Sequence, residues 1–132
     1  DDTAAAAKVL LDKGVVVNTG AHGQREGLGT HWEMWSFVRG GFSPMQALSA
    51  ATINPATYFG MDQDLGSLEA GKLADLVVLE GNPLEDIRNS DHISHVMVNG
   101  RLYQAGNLGE EVTGTSTLRP FYWQGRPESG IR

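Results

Sequence analysis

The side chains in this chain that can do metal or proton chemistry are its four histidines and its carboxylates. His22 stands out, because it sits in the polar, glycine-punctuated loop Asn18-Thr19-Gly20-Ala21-His22-Gly23-Gln24, directly after a run of three valines. A neutral imidazole there could ligate a metal or take a proton as a general base. As an ordinary loop residue it would only hydrogen-bond or pack, and both readings stay open on the residues alone. His31 lies in a helical stretch beside Trp32 and Glu33 and reads as packed or surface-facing. His92 and His95 flank a strand and read as structural or solvated. No His-x-His occurs, and one imidazole falls short of the three or four protein ligands that zinc takes.

Other groupings carry less. Gly20-Ala21-His22-Gly23 and Gly27-Leu28-Gly29 match neither a Walker loop nor a dinucleotide fingerprint, so they read as turns. Arg25 reads as a loop charge. Trp32 and Trp35, three residues apart on a helix, read as core rather than as a substrate wall. Glu110-Glu111 and Asp62 with Asp64 lack the liganding pattern of a calcium loop and read as solvated charge.

The elements that must position these groups follow from periodicity. Residues 2–13 predict a helix, with Thr3 as a candidate cap, Ala4 to Ala7 as strong formers and Gly14 as the stop. Val15-Val16-Val17 predicts a short buried strand. A helix over 28–38 carries Leu28, Trp32, Trp35 and Val38 on one apolar stripe. The next helix opens at Ser43, with Pro44 at its first position and a Ser43–Gln46 capping box; Met45, Leu48, Ala51 and Thr52 mark its face. Asn54-Pro55 starts a short helix that closes at Gly60.

Beyond Met61 the pattern turns to strands. Residues 73–79 and 93–98 predict strands, with one helical turn over 84–90 between them. Asn99-Gly100 is a two-residue hairpin signal, because both residues tolerate positive φ, and Arg101-Leu102-Tyr103 returns. After Gln104 the pattern dissolves until the aromatic cluster Pro120-Phe121-Tyr122-Trp123, which needs another surface to dock on. One lone strand cannot form a parallel sheet. The chain therefore reads as the last slice of a larger α/β protein followed by strands of a smaller β domain.

Composition narrows the function classes. The 132 residues are 40% hydrophobic and 20% charged, a globular balance. A net charge of −6 argues against binding nucleic acid, whose phosphates call for Lys and Arg. The absence of cysteine removes thiolate metal sites, disulfides and cysteine nucleophiles, and is compatible with either a reducing or an oxidising compartment. No apolar run approaches the roughly 18 residues of a membrane helix. Asp1-Asp2-Thr3-Ala4 is neither an initiator methionine nor a signal peptide, and a piece of a longer chain is expected.

Three segments carry a resemblance. Residues 46–56 (QALSAATINPA), 65–79 (LGSLEAGKLADLVVL) and 96–101 (VMVNGR) resemble, in order and spacing, stretches common in the amidohydrolase superfamily, especially its imidazolonepropionase-like and prolidase-like members. The resemblance implies a distorted (β/α)8 barrel holding one or two divalent metals, usually zinc, with a small accompanying β-sandwich. Residues 1–60 would then be the end of the barrel, 15–19 its eighth strand, 61–104 part of the β-sandwich, and 105–132 an extended tail. Such a piece would be incomplete on its own. The implied activity of the parent is hydrolysis of C–N bonds in amide, peptide-like or cyclic amide substrates by metal-activated water, with this chain inactive by itself and prone to self-association. The alternative is a non-catalytic assembly module derived from such an enzyme.

Active sites of such barrels lie at the C-terminal strand ends. At the end of the eighth strand the superfamily usually carries an Asp that binds metal and acts as general base. Here Gly20-Ala21-His22 stands in its place, so the resemblance makes His22 both the catalytic and the metal-binding candidate. A register slipped by two residues would put Gly20 there instead and leave no functional group.

Overall fold

The computed structural model describes residues 2–22, 25 and 27–114. Four α-helices come first: α1 (Asp2–Asp12), α2 (Gly29–Arg39), α3 (Pro44–Ala51) and α4 (Ile53–Tyr58). They precede a three-stranded antiparallel sheet of β1 (Leu76–Leu79), β2 (Ile93–Val98) and β3 (Arg101–Gln104), in that spatial order. A 3₁₀ helix, Ile87–Asp91, links β1 to β2. Pro120-Phe121-Tyr122-Trp123 lies outside the described residues.

Local signals explain much of this. Ser43 Oγ accepts the Gln46 amide at 3.2 Å while Gln46 Oε1 accepts the Ser43 amide at 2.9 Å, so the capping box forms with Pro44 at the first helical position. Asn99 and Gly100 both take positive φ, +50° and +77°, as a twisted two-residue hairpin requires. That turn sets the register of β2 on β3, with Met97 opposite Leu102 and Val98 opposite Arg101. Asp75 Oδ1 accepts the Asn99 amide at 2.5 Å, tying the turn back to the start of β1.

The core lies between the helices. Ala4 of α1, Met34 and Phe37 of α2, Phe42, and Ala47 and Ala50 of α3 are buried together, and Ile87 of the 3₁₀ helix joins them. Phe37 and Phe42 stack with ring centroids 4.7 Å apart. Ala4, Ala47 and Ala50 are the small members of this cluster, and they lie where the helices approach closely. A Cβ at Gly40 would lie 2.6 Å from Ala4 of α1.

Several expectations are corrected. Val15-Val16-Val17 is not a buried strand: no partner strand lies beside it among the described residues, and Val15 and Val16 are 47% and 60% exposed. A β-branched run becomes a strand only when a neighbour takes its ladder hydrogen bonds. Thr3 lies within α1 rather than capping it. On α2 the buried face is Met34 and Phe37, with Trp35 and Val38 beside them, while Leu28 and Trp32 are exposed. On α3 it is Ala47 and Ala50, and Met45 is exposed. Both faces are set by where α1, α2 and α3 meet, which helical periodicity alone does not specify. The 73–79 strand shortens to Leu76–Leu79, and the helical turn expected over 84–90 is the 3₁₀ helix Ile87–Asp91.

Candidate functional site

The loop of interest leaves the valine run held by three helices in succession. Val17 O accepts Asn54 Nδ2 of α4 at 2.9 Å. The Thr19 amide donates to Ala50 O of α3 at 2.9 Å. The Gly20 amide donates to Glu33 Oε2 of α2 at 2.7 Å. Asn18 Oδ1, between the first two tethers, is buried without a hydrogen-bond partner among the described residues. Ala21 then passes close to the start of α2, where a Cβ on Gly29 would meet Ala21 Cβ at 2.9 Å.

His22 follows directly. Its φ is +56°, a left-handed conformation uncommon for a residue with a side chain, and the residue is exposed. A non-glycine residue in this region is held there by its surroundings. Here the surroundings are the short tethers just before it and the Ala21–Gly29 contact.

The other histidines are accounted for elsewhere. His31 Nδ1 lies 3.1 Å from Ser90 Oγ, which also accepts Trp35 Nε1–H at 3.0 Å. Trp35 Nε1 further donates to Ile87 O at 3.1 Å, and the Arg88 guanidinium lies 5.2 Å from the Trp35 ring centre. His31, Trp35, Arg88 and the buried Ser90 thus fasten α2 to the 3₁₀ helix, and His31 has a structural partner. His95 Nδ1 is 3.1 Å from Ser94 Oγ, and its Nε2 is 3.4 Å from Glu111. His92 Nε2 is 3.6 Å from Asp91. Both stay at the sheet.

The carboxylates divide in the same way. Glu110, expected as solvated charge, is buried: its backbone bridges Tyr103, its Oε1 accepts the Thr113 amide at 3.0 Å, its Oε2 accepts the Thr113 hydroxyl, and Arg101 Nη2 lies 3.8 Å away. The cause is the return of the chain along β3, which adjacency in sequence does not reveal. Glu69 has its carboxyl held below the ordinary range, first by the Ser67 hydroxyl at 2.5 Å and then by Lys72 Nζ at 3.1 Å.

No group of three His, Cys, Asp or Glu among the described residues could hold a metal ion. His22 supplies one donor where zinc takes three or four. The described residues therefore do not by themselves make the metal site that the resemblance implies. They do contain one imidazole on a tightly tethered, exposed turn. Sequence reading singled out His22 but passed over Glu33, Gly29 and Asn54. The only local signal for the first two was their four-residue separation, which puts them on one face of α2.

This chain belongs to the amidohydrolase family, whose profile matches residues 1–103. Over 87 residues it is 39% identical to the ochratoxinase of Aspergillus niger, covering 63% of this chain and 18% of that enzyme. Over 39 residues it is 59% identical to the imidazolonepropionase of Symbiobacterium thermophilum, covering 30% of this chain and 9% of that one. Among solved structures, a Xaa-Pro dipeptidase with methionine bound in its active site superposes with a TM-score of 0.70 at 35% identity, covering 78% of this chain and 25% of that chain. An amidohydrolase from Thermotoga maritima gives 0.64 at 28% identity, covering 74% and 25%. The chain spans less than a fifth of the length of these curated relatives. No helix among the described residues is long and apolar enough to cross a membrane.

Proposed function

We propose that this chain is the C-terminal part of a metal-dependent hydrolase of C–N bonds, acting on an amide, peptide-like or cyclic amide substrate. The observation that carries the reading is the likeness to the Xaa-Pro dipeptidase over 78% of the chain, at 35% identity and a TM-score of 0.70. The 39% identity to an ochratoxinase supports it. In this reading residues 1–60 close a (β/α)8 barrel, with 15–19 as its last strand. Residues 61–104 contribute to the small β-sandwich; of the segment 105–132 only 105–114 are among the described residues, and there Glu110 returns to bridge Tyr103. The exposed Val15 and Val16 agree with a strand whose neighbours belong to another part of the protein.

His22 is then the group this chain brings to the reacting centre, as metal ligand or as base. Zinc is the metal in this reading, and its remaining ligands come from outside the described residues. By itself this chain is inactive. A second reading is a non-catalytic assembly module, for which the exposed apolar side chains Val16, Tyr58, Phe59 and Leu68 would supply the contact surface.

Hydrolysis separates the two readings. The complete protein containing this segment is assayed with zinc against Xaa-Pro dipeptides, N-acyl amino acids and cyclic amides, beside this chain alone. Release of amine by the complete protein only is the expected result. No hydrolysis of any of the three classes by the complete protein would favour the assembly module.

A further inference from the structure

The three tethers on residues 17–20 differ in kind. Two use a neutral amide and a carbonyl, whereas the third is a carboxylate: Glu33 Oε2 receives the Gly20 amide at 2.7 Å. Hydrogen bonds to a charged acceptor are shorter and stronger than neutral ones. One turn earlier on the same face of α2, Gly29 leaves room for Ala21 and no more, since a Cβ there would stand 2.9 Å from Ala21 Cβ. Gly29 and Glu33 thus grip two consecutive loop residues, Gly20 and Ala21. The next residue is His22, in its left-handed conformation.

We propose that Glu33 is a positioning residue for His22: its carboxylate anchors the Gly20 amide to α2 and so fixes the turn that presents the imidazole. The proposal rests on the reading of His22 as the functional group of this chain. Glu33 acts on it through the backbone of Gly20 and Ala21 and needs no contact with a substrate. The close Gly29–Ala21 approach sets where the loop sits, and the Glu33 carboxylate holds it there.

The test is backbone amide exchange and chemical shift, by NMR on this chain, for wild type, Glu33→Ala and Glu33→Gln. The Gly20–Glu33 bond is solvent-exposed, so its loss corresponds to about 2- to 10-fold faster exchange of the Gly20 amide. Glu33→Ala is expected to show that rise, with Ala21 and His22 shifts moving toward unstructured values while the amides of β2 and β3 hold theirs. Glu33→Gln retains a neutral acceptor and is expected to show the same local change at smaller size. Should Glu33→Ala fail to fold, Glu33→Gln carries the decision alone. Unchanged Gly20 exchange would overturn the proposal. So would an equal rise throughout α2 and α3, which marks Glu33 as a support of the helix core only. Hydrolysis plays no part in this readout: a locally loosened Gly20 in a protein without C–N hydrolysis removes the hydrolase reading and leaves Glu33 assigned.

Discussion

Glu69, Ser67 and Lys72 form a small charged knot after α4. The Ser67 hydroxyl donates to Glu69, Lys72 Nζ reaches Ser67 Oγ and the Asp62 carbonyl at 2.5 Å each, and Lys72 pairs with Glu69 at 3.1 Å. The folded state therefore favours the Glu69 carboxylate and lowers its pKa below the ordinary 4.5. A lowered folded pKa means that the contribution is present above the unfolded value and is lost as pH falls through the folded one. Glu69 is exposed, so solvent screens the effect and a small one is expected. Thermal unfolding of wild type and Glu69→Gln should differ slightly near neutral pH and converge in acid, below the folded pKa. A gap that persists unchanged in acid would place the effect of the substitution elsewhere than in the charge.

At the scale of elements, the fold depends on close approaches between helices. A Cβ at Gly40 would meet the Ala4 carbonyl carbon and Cβ at 2.6 Å, and a helix backbone cannot yield as the tip of a flexible side chain can. Gly40→Ala is expected to destabilise by about 1–3 kcal/mol. The urea midpoint would fall with its slope unchanged. Unaltered stability would mean that α1 does not pack this closely on α2. The sequence expressed the local part of this architecture well. The Ser43–Gln46 box and the Asn99-Gly100 hairpin are encoded within a few residues of the structure they make. The parts it expresses less well depend on partners far along the chain or outside the described residues. Val15-Val16-Val17 has the composition of a strand but no partner strand among the described residues. The buried side of α3 follows from Ala47 and Ala50 meeting α2, and Glu110 is buried because β3 leads the chain back along itself. The candidate site divides the same way. His22 is a candidate that its loop alone suggests, whereas the Glu33 carboxylate reaches that loop from 13 residues away.

For the whole molecule, the balance of buried and exposed apolar surface is the main physical fact. The buried hydrophobic side chains are few, half of them alanines, and no large side chain among the described residues is fully buried. Val16, Met45, Tyr58, Phe59 and Leu68 are among the large apolar residues left exposed. Contiguous exposed apolar surface marks interaction sites or association liabilities. This chain is therefore expected to self-associate as an isolated polypeptide, with an apparent mass by light scattering that rises with concentration. A concentration-independent monomer would show that these faces tolerate water. In the amidohydrolase reading the same faces are covered by the remainder of the barrel and sandwich, so the complete protein should associate less through them.

In the proposed reading, His22 is the functional group this chain contributes to a metal-dependent hydrolase. That role is tested most directly by the zinc content of the complete protein carrying this segment, measured by elemental analysis beside its His22→Ala variant. Loss of a protein ligand weakens a site that normally uses three or four. The expected result is stoichiometric zinc in the unaltered protein and a loss of about one equivalent in His22→Ala, with the fold intact by circular dichroism. Equal zinc in the two proteins would contradict the ligand role of His22, and no zinc in either would remove the metal-dependent reading altogether.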